Sequence, residues 1–205
     1  MRLSLAFLIS TFFPICVAAD YKSVDSAATS AFDRMPPVVV VDVIAGNCGA
    51  NAGVNPKAAY CTSQNTIYLS ELASNLPETP YLIAHLYGHA AQVRHGVADV
   101  AFAAIRSRPN EEAALRGMVT RQVECLAGMY MALAGLNDLS LMDWLNDEPF
   151  TGSHWSRNPL SRGPQVSIGL AARDEWFQIG QKAVHPSACS VIEMNAELLV
   201  NAYKN

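Results

Sequence analysis

Charge is scarce in this chain. Asp, Glu, Lys and Arg make up 16% of its 205 residues, and the formal net charge is −4. No Lys/Arg cluster stands out, which leaves nucleic-acid binding without electrostatic support. Past residue 19 no stretch is long and apolar enough to cross a bilayer. There is no internal repeat and no low-complexity segment. The apolar fraction is 51%, a composition that argues for a compact core and against disorder. The length allows one domain with a sizeable interior, assigned to residues 20–205.

Residues 1–19 (MRLSLAFLISTFFPICVAA) read as a secretory signal peptide. Arg2 supplies the positive start, an apolar run follows, and Val17-Ala18-Ala19 offers small residues for cleavage before Asp20. The other reading is a retained N-terminal anchor. A lipid on Cys16 is disfavoured by Pro14 and Ile15. The expected address is therefore outside the cytoplasm, periplasmic or extracellular. Removing the signal leaves Cys48, Cys61, Cys125 and Cys189. An even number in an exported chain suggests disulfides, with three possible pairings. The Gly/Asn-rich turn between Cys48 and Cys61 favours that pair, which leaves Cys125 with Cys189. The competing fate for Cys125 is a buried free thiol.

The pattern along the chain predicts an α+β domain, mainly helical, with a small sheet near the N-terminus. Residues 20–34 form a short helix or a loose arm. Residues 38–44 (VVVVDVI) read as a strand buried on both faces. Residues 46–57 are turn-rich, and residues 66–69 read as a second strand pairing near the first. Helical segments are expected at 71–76, 81–96, 97–105, from Glu111-Glu112 to a cap at Gly135, and at 138–145, 165–182 and 187–201. Residues 147–164 form a loop with three prolines.

The pivotal stretch is residues 81–96, YLIAHLYGHAAQVRHG. Thr79 is placed to cap this helix and Pro80 to open it. His85 and His89, four residues apart, share a helix face. Two imidazoles so spaced are the first half of an HExxH zinc site. Packed or solvated histidines share the same spacing.

Several short motifs, taken together, resemble those of the bacterial neutral zinc metallopeptidases of the HExxH type. They are PPVVVVDVIAGNC at 36–48, Cys48-Gly49-Ala50, Tyr60-Cys61, Ile67-Tyr68-Leu69, YLIAHLYGHAAQ at 81–92 and QVECLAG at 122–128. Arg173, Trp176, Phe177, Gly180 and Cys189 complete the series. The resemblance covers most of residues 36–190. It implies a zincin-like fold and a zinc site on His85 and His89.

The departures from that pattern fall on the chemistry. The family's glutamate after the first histidine is the general base that activates metal-bound water; here it is Leu86. The family's third-ligand glutamate aligns with Thr120, and its following aspartate with Glu124. A His-Gly pair before Arg173 is replaced by Ser167-Ile168. Glu124 is one methylene longer than aspartate, so it reaches a metal, bonds a histidine or lies on the helix surface. His95 and His185 read as solvent-facing or capping.

The expected function is that of an exported pseudo-peptidase that holds zinc weakly or not at all. Its partner would be a peptide or protein segment in the former cleft. The alternative is an active zinc metallopeptidase with ligands His85, His89 and Glu124, and Glu112 or His154 as base.

Overall fold

The computed structural model describes residues 20–51, 53–152 and 164–204. The segment expected to be a signal peptide and His154 both lie outside the described residues. Among those described, seven α-helices and one three-stranded sheet form an α+β fold.

The first helix is α1 (Tyr21–Ala31), capped by the Asp20 carboxylate on the Lys22 N–H. Three strands follow: β1 (Val38–Val41), β2 (Ala58–Cys61) and β3 (Thr66–Ser70). The order across the sheet is β1-β3-β2. β1 runs parallel to β3, with Val38 opposite Ile67, and β2 runs antiparallel to β3, with Ala58 opposite Leu69. Two expectations are corrected here. β1 stops at Val41 and is an edge strand, with Val39 and Val40 each about 40% exposed. Its unbroken valines come from β-propensity at an edge, not from burial on both faces. β2 falls on AAYC, a run too short and too mixed to announce itself as a strand.

Helix α2 (Thr79–Arg94) opens with Pro80 in its first turn and stops before Gly96, whose φ is 87°. Thr79 is the first helical residue and not the cap; its hydroxyl donates to the Ala73 carbonyl. Every residue from Thr79 to Gln92 is buried, so α2 is surrounded by protein on all sides. Next come α3 (Val97–Ser107) and α4 (Glu112–Leu133). The end of α4 is closed as expected at Gly135, with φ 79°. There the Leu136 N–H reaches the Met131 carbonyl and the Gly135 N–H that of Ala132, a Schellman arrangement.

The remaining helices are α5 (Leu141–Trp144), α6 (Leu170–Ala183) and α7 (Glu197–Ala202). α6 starts five residues later than predicted, because Gly169 adopts φ 84°, ψ 145°, outside the helical region. The expected last helix is broken too. Residues 186–189 form a 3₁₀ turn, Val191 and Met194 pair across a tight turn, and only then does α7 begin.

Glycines set the closest helix contacts. A Cβ at Gly128 of α4 would collide with the Phe177 carbonyl of α6, and one at Gly180 of α6 with the Cys125 carbonyl of α4. At Gly88 of α2 it would meet the Val123 carbonyl of α4 at 2.9 Å. α4 thus packs backbone to backbone against α6 and tightly against α2. Gln92 ties the same elements through polar atoms, donating to the Val119 carbonyl at 3.1 Å and to Gln122 at 2.9 Å.

Candidate functional site

His85 faces the junction of α2, α4 and α6, and His89 lies beside it. Their rings lie 4.9 Å apart, edge to face. His85 is 1% exposed and His89 8%. The shared helix face expected from their spacing is therefore present. What surrounds it differs from an open metal cleft.

Glu124, on α4, is fully buried, so the helix-surface reading is set aside. Its Oε1 lies 3.1 Å from His85 Nδ1. The Tyr81 hydroxyl, one turn before His85 on α2, donates to Oε2 at 3.1 Å. The Arg173 guanidinium, from α6, is paired with Oε1. Arg173 is itself fully buried, and its Nε donates to Glu148 Oε1 at 2.7 Å. Glu148 also receives the Ile168 N–H at 2.9 Å and the Ser167 hydroxyl. One guanidinium thus bridges two carboxylates, the arrangement that lets buried charge persist away from water.

Phe150 lies flat on His85, with ring centroids 4.1 Å apart and planes 7° from parallel. It is 8% exposed and adopts φ 57°. Glu148 and Phe150 both belong to the proline-bearing loop after α5, so the same loop neutralises Arg173 and covers an imidazole.

Burial pushes the His85 imidazole below its ordinary value, with Glu124 opposing that shift. His85 is thus neutral at pH 7. Burial also works to raise the Glu124 carboxyl, but His85 and Arg173 outweigh it and hold the group below its usual range. With the imidazole neutral, the fixed cation beside Glu124 is Arg173. Tyr81, fully buried beside that carboxylate, has its hydroxyl pushed well above its ordinary value, chiefly by burial.

The other residues singled out in the sequence take structural places. Leu86 is in the core, 6% exposed. Thr120 is fully buried, and its hydroxyl donates to the Arg116 carbonyl of its own helix at 3.0 Å. Glu112 is paired with Arg116 at 2.8 Å. It stands about 18 Å along α4 from Glu124, at 1.5 Å of rise per residue. The His185 ring accepts the Ser187 N–H at 3.2 Å, a cap as expected. Cys48–Cys61 and Cys125–Cys189 are both disulfide-bonded.

A catalytic zinc usually takes three protein ligands and keeps an open position for water. Among the described residues, no group of three or more His, Cys, Asp or Glu side chains could hold a metal ion. The donor set explains why. Glu124 already satisfies a guanidinium and a phenol, and a dication beside Arg173 would meet a fixed positive charge. The described residues at this site do not fit a catalytic zinc.

Four participants carried no role in the sequence reading: Tyr81, Glu148, Phe150 and Arg173. Arg173 was visible as a motif position ahead of Trp176-Phe177, and a lone arginine on a buried helix face implies an acidic partner. No spacing rule pointed to Glu148 or Phe150, which a loop delivers from outside the helices. No family model, no curated protein and no solved structure matches the chain.

Proposed function

We propose that the chain is an exported, catalytically silent protein built on a metallopeptidase-like framework, which binds a peptide or protein segment without cleaving it. The observation that carries this reading is the buried Glu124–Arg173 pair beside His85. It gives the site's one central carboxylate a partner other than a metal. Leu86 adds to the argument, since its side chain has no atom that can accept a proton. A positioned base contributes roughly 10²–10⁴-fold to such hydrolysis. Export is supported by the two disulfides, which persist in oxidising compartments. It also agrees with the described helices, none of which is long and apolar enough to cross a membrane.

The test is metal analysis together with a peptidase assay on the purified chain. The expected result is well below one zinc per chain and no cleavage of a casein or mixed-peptide substrate. Zinc-dependent cleavage abolished by His85→Ala would overturn the proposal and favour a working peptidase. One observation gives that second reading its footing: His85 Nε2 is buried and makes no hydrogen bond among the described residues.

A further inference from the structure

Away from the histidines, the segment between α6 and α7 is fastened at several points. Cys189 is bonded to Cys125 of α4. The Gln122 carboxamide, also on α4, donates to the carbonyls of Cys189, Met194 and Asn195 at 3.1, 2.9 and 3.3 Å. Val191 and Met194 exchange backbone hydrogen bonds of 3.0 and 2.7 Å, closing a two-residue turn with Ile192 and Glu193 at its tip. Arg108, at the end of α3, grips both oxygens of Glu193 and reaches Glu111 at 3.1 Å.

Ile192 is anomalous at that tip. Its φ is 44°, and it is 81% exposed. A β-branched side chain in the left-handed region is strained, and such tight turns favour Asn, Asp or Gly. Packing does not explain the choice, because the side chain projects into solvent. Strain retained by a well-fastened turn points to use of the side chain. The residues that follow Ile192 in the turn, Glu193, Met194 and Asn195, line a groove of about 230 Å³. Val97, Val100, Met194 and Leu198 line its apolar part, and Val100 and Leu198 are 48% and 41% exposed. Its acidic lining is Glu193 and Glu197. Arg108, outside the lining, is paired with Glu193 and Glu111; Glu197 adds a further carboxylate, and among the described residues no lysine or arginine lines the groove, so its rim is net negative.

We propose that the groove beside Ile192 is a docking site for a protein segment that presents an aliphatic side chain flanked by lysine or arginine. The aliphatic group enters between Val100 and Leu198, Ile192 packs on its outer side, and Glu197 meets the flanking cation. Fastening the turn in advance lowers the ordering cost of binding. Charge complementarity selects the partner and sets the salt dependence.

The test uses the whole chain and two synthetic peptides, acetyl-Lys-Lys-Leu-Lys-Lys-amide and acetyl-Glu-Glu-Leu-Glu-Glu-amide, followed by methyl NMR at low salt. The lysine peptide is expected to shift the Val100, Met194 and Leu198 methyl signals saturably, and the glutamate peptide to bind at least tenfold more weakly. Glu197→Lys should weaken the lysine peptide at least threefold. Ile192→Asn should do the same while raising Tm, because asparagine accepts the left-handed backbone more readily. No saturable shift at those methyls, an equal response to both peptides, or unchanged binding in Ile192→Asn would each overturn the proposal.

Discussion

At the scale of single residues, two side chains govern what the histidine pair can do. Leu86 offers no proton acceptor beside His85, and that is legible from the letters alone. Arg173 engages Glu124, and that is legible only once α4 and α6 are packed together. A third residue, Glu148, makes the network sensitive to acid. Burial works to raise its carboxyl, but Ser167, the Ile168 N–H and Arg173 together hold it at about 2, against an ordinary 4.5. A carboxyl depressed on folding stabilises the native state above about pH 4.5 and loses that contribution as pH falls toward 2. His85 acts in the same direction. Its folded value is held down by burial, so the unfolded chain takes up the proton first below about pH 6.5. Melting temperature is therefore expected to fall steadily with acidification from neutral pH. Glu148→Gln should lose about 1–2 kcal/mol at pH 7 after allowance for solvent screening, and should show a shallower decline below pH 4.5. Parallel melting curves for the two proteins across pH 3–7 would dismiss Glu148 as the source.

At the scale of elements, the helices are arranged by how closely their backbones approach. Gly88 reads in sequence as a weak point in a helix, yet it is where α2 meets α4. Gly128 and Gly180 stand out only as motif letters, yet each lets one helix rest on the other's carbonyls. Gly128→Ala or Gly180→Ala should destabilise the protein by about 3 kcal/mol or more, since the neighbouring atoms are backbone and cannot turn aside. Gly135→Ala meets no neighbour and should cost only about 1 kcal/mol, through its positive φ. Urea unfolding of the three variants measures this, and equal losses would show that the helix crossing is looser than described. Nothing local distinguishes a β-branched edge strand from a buried one, so β1 reads as deeper than it lies. The sequence favours the Cys125–Cys189 link, but nothing in residues 187–201 reveals that this link and Gln122 fold the segment into turns before α7.

At the scale of the whole molecule, two covalent links hold the sheet end and the helical end separately. Cys48–Cys61 spans 13 residues and fastens β2 to the preceding turn. Cys125–Cys189 spans 64 and fastens the C-terminal segment to α4. In the chain-entropy account a closed loop of the first size contributes about 3 kcal/mol and one of the second about 4 kcal/mol. Cys189→Ser should therefore lower stability more than Cys48→Ser, and reducing agent should bring the parent protein down to the level of the double variant. Urea midpoints with and without dithiothreitol test this, and a parent indifferent to reductant would remove the links from the account of stability.

The sequence by itself determined the α+β class, the helix that carries His85 and His89, the closure of α4 at Gly135 and the absence of a glutamate beside His85. These rest on periodicity, capping and single letters, all of which are local. It also favoured the two cysteine pairs, through loop length and an even count. Only the tertiary structure decided what Glu124 does. A carboxylate's role follows from the charges that reach it, and here Tyr81 comes from α2, Arg173 from α6 and Glu148 from a loop. Their meeting is set by helix packing, which no spacing along the chain encodes.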